Sequence, residues 1–408
     1  MFKSKRVGSK TYYNVNFVSY VFIYLVYSSI FVFLNNYFPI LFFDILDINR
    51  LILALMQFLA YSILLLRPIF AVITDKYRIK GYQRKYYIIS SGYALALTYI
   101  FLGLSISNIL IFGVMLILIY ISSTMLDVST KSLVIDDSPN NEIKKKYLFF
   151  IFVGEALGKF FPFFLFFLLI NDIYSINSWE TLIICSFILL IPLLSILPFI
   201  IENNQKKPQV IENAEKFDIS NEIDSQFSPS SKITFILLCI FVFFAFSDVI
   251  FIYPFFSFIL NKFGLDNFNL FNFFLTFYFL ISITSSAIGS FIIKRIKPKK
   301  IIFILIPVIG IIYLLYTIVP FTFFTILYFI GCSLGTITNL NISVYIMKFQ
   351  KRNKSTNFHL IASFRHLSTF IFLPLGTFLS NFIATEYLIV IGAFLLNFSL
   401  LSLIFVKL

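Results

Sequence analysis

Eight ionisable side chains stand inside otherwise apolar runs: Arg67, Asp127, Lys131, Glu155, Lys159, Asp248, Arg365 and His366. A charge near the middle of such a run costs roughly 2.5 to 3.5 kcal/mol on insertion scales, so these groups must pair or face a wet cavity. Asp127 and Lys131 are four residues apart, as are Glu155 and Lys159, which puts each pair on one face of a helix. The residue types allow two chemistries. Arg67, Lys159 and Arg365 are the candidate contacts for a bound anion. Asp127 and Asp248 are candidate solute-binding carboxylates and, with Glu155, candidate proton carriers. A purely structural ion-pair network holding helices together is the competing reading of the same residues. Asp248, in "AFSDVIFIYPFF", has no cation near it in sequence, and Pro254 beyond it leaves a carbonyl free to line a cavity. Arg365 and His366 are adjacent and leave a helix in different directions, so at most one is expected to face a cavity. A lone histidine at such a place is more often a packed polar residue than a proton relay.

The elements that would position these groups follow from composition. Of 408 residues, 59% are hydrophobic and only 12% charged, more apolar surface than a soluble chain of this length hides in a core. Stretches able to cross a bilayer lie near 15–43, 51–73, 86–106, 108–130, 147–170 and 181–201, then near 233–259, 269–293, 301–319, 321–347, 359–383 and 386–406. The expected fold is therefore an all-α membrane protein of twelve transmembrane helices in two six-helix bundles, residues 1–201 and 233–408. Residues 202–232, polar and without apolar periodicity, join them as a linker. The basic N-terminus precedes an apolar stretch with no small-residue cleavage site, which reads as a retained first span. Outside the spans, nearly every Lys and Arg falls in alternate loops, Arg50 and Lys262 being the exceptions. That bias places both termini and the linker in the cytosol. It also accounts for the net charge of +13 through basic loops beside an anionic leaflet, with no nucleic-acid role.

Other classes find little support. Cys185, Cys239 and Cys332 lie in apolar runs without metal-ligand spacing, and no metal or cofactor is expected. The two histidines, His359 and His366, form no H-E-x-x-H helix, and neither a G-x-S-x-G elbow nor a Gly-rich phosphate loop occurs, so the chain reads as no enzyme. No span carries the repeated polar face of a channel. Compact helical halves need no protein partner, which makes a monomer the expected state. Which membrane holds the protein is not legible.

The stretch "RPIFAVITDKYRIKGYQRKYY", residues 67–87, bears on mechanism. Arg67 sits about two turns before Asp75 and at a depth similar to Asp127, so Arg67 and Asp127 are placed to pair. Asp75 opens a loop of about ten residues in which Gly81 permits a tight turn, and Arg84 begins the next helix. One acid among several bases at a helix junction suits a gate whose ion pairs change between states; a plain basic anchor is the alternative.

Here the sequence resembles the folate-biopterin transporters, a branch of the major facilitator superfamily, whose pattern is K-P-x-x-G-x-x-S-D followed by G-Y-R-R-x-x-Y. It stands here as Arg67, Pro68, Ala71, Thr74, Asp75, then Gly81, Tyr82, Gln83, Arg84 and Tyr87. A second pattern, D-V-x-x-D-[AS]-L-x-x-E, is met by Asp127, Val128, Ser132, Leu133 and Asp136, with Lys131 in place of the second acid. Ser247, Asp248, Phe251 and Tyr253, then Asn261 and Gly264, echo a third. The resemblance implies two halves rocking about a central site and uptake of folates, pterins or related anionic aromatics together with protons. It marks Arg67, Asp75, Arg84, Asp127 and Asp248 as functional or gating positions. Transport of a different small solute, or a non-transporting receptor or assembly subunit on the same scaffold, are the alternatives.

Overall fold

The computed structural model describes residues 9–34, 56, 58–105, 108–137, 141–169, 176–202, 229–251, 277, 280–281, 284–289, 291–293, 295–348, 354–379 and 382–406. Among them the regular structure is helical apart from one bridge between Ile79 and Tyr82. In the first set are α1 (Ser9–Val32), α2 (Phe58–Lys76), α3 (Lys85–Leu104), α4 (Ile109–Asp137), α5 (Asn141–Leu169) and α6 (Ile176–Ser186, carried on through 3-10 turns and Leu190–Ile196). The second set comprises α7 (Pro229–Ala245), α8 (Thr284–Ile293), α9 (Pro298–Tyr316), α10 (Phe321–Lys348), α11 (Lys354–Leu379) and α12 (Thr385–Phe405). A 3-10 turn, Ser247–Phe251, follows α7.

Eight of the described helical stretches are long and apolar enough to cross a membrane: Phe58–Lys76, Lys85–Leu104, Ile109–Asp136, Thr181–Phe199, Lys232–Phe251, Pro298–Tyr316, Phe321–Ile346 and Thr385–Phe405. They are apolar on all sides. In α4, Phe112, Leu116 and Ile119 point inward, while Leu110, Ile111, Val114 and Leu118 are exposed, an outer surface that hydrocarbon accepts and water does not. Pro298 opens α9 at the turn where its missing N–H leaves no bond unmade. Pro162 and Pro307 lie inside α5 and α9, where a span tolerates them.

Three core clusters hold the described helices together. One core cluster joins the helices of the first set through Tyr20, Tyr24, Leu95, Leu126 and Leu193. Two others belong mainly to the second set, around Phe241, Ile302, Leu340 and Leu403, and around Phe251, Phe324 and Leu388. Ile135 of α4 and Leu148 and Phe152 of α5 join the cluster of Phe241, so the sets are sealed together at the end of the bundle where α4 finishes. Elsewhere they meet along α11, which lies against both α2 and α4. The rings of Phe58 and Phe370 are 4.7 Å apart across that contact. Several boundaries differ from the expected spans: α4 runs on to Asp137 rather than ending at 130, and α5, α6 and α11 begin at Asn141, Ile176 and Lys354 rather than at 147, 181 and 359. The first helix begins at Ser9 rather than 15, with 35–43 outside the described residues. The helix expected from 233 begins at Pro229, because proline followed by polar residues makes a good first turn. Of the expected linker, residues 203–228 lie outside the described residues, as do Arg50, Tyr253, Pro254, Asn261, Lys262 and Gly264.

Candidate functional site

Arg67 is the point at which the 3-10 stretch Ile63–Leu66 of α2 becomes α-helix. It is buried, and its two terminal nitrogens are both engaged. Nη2 forms an ion pair with Asp127 of α4, and Nη1 donates to Nε2 of His366 in α11 at 2.8 Å. The other oxygen of Asp127 accepts from the Tyr24 hydroxyl of α1 at 2.6 Å and from Lys131 Nζ at 2.9 Å, the contact that a four-residue spacing allows. The ammonium of Lys131 also stands 5.5 Å from the centre of the Tyr24 ring. One carboxylate thus answers two cations, which is how a buried charge avoids the cost of standing alone. Lys131 does not reach for the interface as a long side chain near a helix end can; it is one-fifth exposed and turned to Asp127.

Beside this cluster is a cavity of about 60 Å³, room for a few water molecules. Its wall combines Arg67 and Lys131, Glu155 of α5, Phe246 after α7, Asn339 and Ser343 of α10, and Arg365 and His366 of α11. Both neighbours on α11 face it, against the expectation that at most one would. The cavity wraps around the helix: His366 turns to α2, whereas Arg365 turns to α10, donating to Asn339 Oδ1 at 3.3 Å with its guanidinium 4.4 Å from the Phe246 ring centre. Among the described residues Arg365 has no carboxylate partner, and it is exposed.

The remaining candidates fall apart from this group. Lys159 is absent from the cavity wall, and although its spacing puts it on one helical face with Glu155, no ion pair joins the two among the described residues. Asp248 sits in the 3-10 turn after α7 and accepts from the Tyr313 hydroxyl of α9 at 2.9 Å, away from the cavity wall. No group of His, Cys, Asp or Glu among the described residues is arranged to hold a metal ion.

A second cluster closes the end of the first set. Eight residues beyond Arg67 and nine beyond Asp127, hence about 12 to 14 Å along the helices, lie Asp75 and Asp136. Arg84, buried at the N-terminus of α3, donates to Thr74 Oγ1 and Asp75 Oδ1, and its Nε donates to Asp136 Oδ2 at 3.1 Å. The chain between α2 and α3 turns on Lys80 and Gly81, with φ of 52° and 81°, the left-handed pair that a two-residue hairpin needs. The three leading amides of the next helix point at Glu202: Gln83, Arg84 and Lys85 N–H donate to its carboxylate at 2.8, 2.9 and 2.8 Å. An acid at a helix N-terminus satisfies donors that the helix cannot. Between the two clusters, Ser132 of α4 meets Nε2 of the buried His359 of α11 at 3.2 Å.

Tyr24, Thr74, His359 and Glu202 carry roles that reading the sequence missed. Tyr24 lies 103 residues from Asp127 and gives no local sign of it. The linker expected at 202–232 includes Glu202, although an acid leaving the sixth span on the face where α3 starts is a usable signal.

The chain matches the family model of the Major Facilitator Superfamily over residues 162–373. No curated protein matches it in sequence. Among solved structures it is similar to the E. coli fucose:proton symporter FucP, in a single-substitution variant, with a TM-score of 0.70 at 14% identity, covering 97% of this chain and 98% of that one. It is also similar to FucP described as a Major Facilitator Superfamily transporter in the outward conformation, with a TM-score of 0.69 at 14% identity and coverage of 97% and 99%. At that identity the structures speak for the fold, and they span essentially its whole length. The family model covers more than half of the chain, and with its apolar helices and the fold they build, the chain belongs to the Major Facilitator Superfamily of transporters and is an integral, multi-pass membrane protein.

Proposed function

We propose that the protein is a secondary active transporter that moves a small anionic solute, coupled to protons, by alternating access of a site between residues 1–201 and 233–408. The observation that carries this reading is the cavity between the two helix sets, faced by three cations, Arg67, Lys131 and Arg365, and by one carboxylate, Glu155. An excess of positive charge in a low-dielectric site favours an anion. Arg365 and Lys131 are the contacts most open to it, with Phe246 as an apolar wall; Asp127, paired with Arg67, orients Lys131, and Asn339 orients Arg365. Asp248 and Glu155 are the carboxylates available to carry protons. Asp75, Gly81 and Arg84 form the gate at the sealed end. By the motifs at residues 67–87 and 127–136 the solute is a folate, a pterin or a related anionic aromatic. Proton coupling is supported by the fucose:proton symport named for the structural relative. The proposed molecule has twelve spans and both termini in the cytosol, and acts as a monomer with solute and protons as its partners.

A cavity of this size holds no such solute until the halves part, which is what alternating access requires. The test is uptake of radiolabelled folate, folic-acid precursors and pterins into proteoliposomes, with and without an inward proton gradient. Saturable uptake accelerated by the gradient is the expected result. Thermal stabilisation by one of these compounds with no flux would instead favour a receptor on a transporter scaffold.

A further inference from the structure

Arg67 and His366 come from opposite halves, and their 2.8 Å contact joins α2 to α11 at mid-depth. The chemistry of this contact is one-sided. A guanidinium has only N–H donors, so Nε2 of His366 must accept, and it can do so only with its lone pair free. A proton and Arg67 therefore compete for the same lone pair. Once Nε2 carries a proton, the contact sets N–H against N–H and positive charge against positive charge, and Arg67 stays with Asp127, its other partner.

From this we infer that His366 is the proton-sensing latch of the transport cycle: unprotonated it holds the halves together through Arg67, and protonation releases them. The inference rests on the alternating-access reading above and adds the group through which protons act. Its neighbours add to the effect of a proton. Among the described side chains, the charged and titratable groups on the elements around His366 are Tyr61, Arg67, Asp75 and Lys76 on α2, Tyr120, Asp127, Lys131 and Asp136 on α4, Lys232 and Cys239 on α7, Asp248 in the 3-10 turn, Tyr328, Cys332 and Tyr345 on α10, and His359 and Arg365 on α11 itself; Glu155 of α5 shares the cavity wall. Arg67, Lys131 and Arg365 share the cavity wall with His366, so a protonated imidazole adds a fourth cation to one small space until the halves separate and water enters. By linkage, a proton that binds the parted state better than the joined one drives the equilibrium toward parting as the pH falls. The cavity position of His366 gives the proton a route in once the space is wet.

The test needs no knowledge of the solute. With the three native cysteines replaced by alanine, spin labels at Arg78→Cys and Lys297→Cys, exposed positions on the two halves, report their separation by pulsed electron resonance. Between about pH 8 and about pH 5, the range in which histidine titrates, the wild-type distance distribution is expected to shift to longer values. His366→Gln keeps an acceptor for Arg67 and cannot be protonated, so its distribution should stay short across the range. His366→Lys, always charged, should be long throughout. A wild-type pH response that persists unchanged in His366→Gln overturns the latch. Arg67→Gln separates the two levels of failure. If it lengthens the distance at every pH while the histidine variants behave as wild type, the halves rock but the latch lies elsewhere. If no variant moves the distance in folded protein, alternating access at this interface fails with it.

Discussion

Asp127 is the joint on which two buried cations depend, since Arg67 and Lys131 both bind its carboxylate while Tyr24 donates to it. Removing its charge should therefore cost far more than removing Lys131, the more exposed of the two cations. Asp127→Asn leaves a guanidinium at 3% exposure without its counter-ion, the situation in which breaking a buried pair costs about 3 to 5 kcal/mol. Lys131→Gln removes a partner that is 21% exposed and leaves Asp127 with Arg67, so its cost should be about 1 kcal/mol. Thermal unfolding in detergent should rank Asp127→Asn well below Lys131→Gln, which should run close to wild type. Equal losses would mean that Lys131, not Arg67, is the main counter-ion. Much of this site could be read from the sequence, because an arginine and an aspartate inside apolar runs have few places to go and depth counting puts Arg67 level with Asp127. What could not be read is which face of α11 matters. His366 and Arg365 both serve because the cavity bends around the helix, and no single-chain periodicity records the shape of a space between helices.

Helices become close neighbours only where a side chain is missing. Along α5, a Cβ added at Gly154 would stand 2.5 Å from the Val21 carbonyl oxygen, and one at Gly158 would stand 2.1 Å from that of Leu25. Both obstacles are backbone of α1, so neither can swing aside, and the Ser29 hydroxyl uses the closeness to donate to Gly158 O at 2.7 Å. This four-residue spacing of glycines is how spans pack tightly in lipid. Gly158→Ala should therefore push α1 off α5 and sharply reduce the yield of monodisperse protein. The same substitution at Gly335, where nothing lies within 4 Å, should change it little. Size-exclusion profiles of the two variants check the point, and similar profiles would show that α1 is not seated by this contact. The partner of the two glycines in "GEALG" is not legible in the sequence, since what α1 brings closest to them is backbone, which leaves no trace in residue type. Helix α3 shows the same limit from another side: its first amides are capped by Glu202, more than a hundred residues away, so its start looks uncapped when read locally.

For the whole molecule the proposed function gives the two charged clusters separate work, binding for one and access for the other. The central one spans α1, α2, α4 and α11 and faces a cavity, while the terminal one ties Arg84 to Thr74, Asp75 and Asp136 and, through its backbone, to Glu202 at the point where the first set of helices ends. The apolar seal of Ile135, Leu148 and Phe152 against the second set lies at the same end. If Arg84 holds that end shut, weakening it should let water-borne reagents reach the cavity from the hairpin side without touching the binding groups. Ser343 lines the cavity and is a neutral reporter. In a background without the native cysteines, Ser343→Cys should react slowly with a membrane-impermeant thiol reagent supplied on the hairpin side. Adding Arg84→Gln should accelerate that reaction roughly tenfold, the response to about 1.4 kcal/mol of bias toward the open state. An unchanged rate in folded protein would assign the hairpin cluster to anchoring alone and leave the closure of that end to the apolar seal. The direction of the effect also tests the proposed topology, since a reagent on the opposite face should show the reverse change when the equilibrium moves.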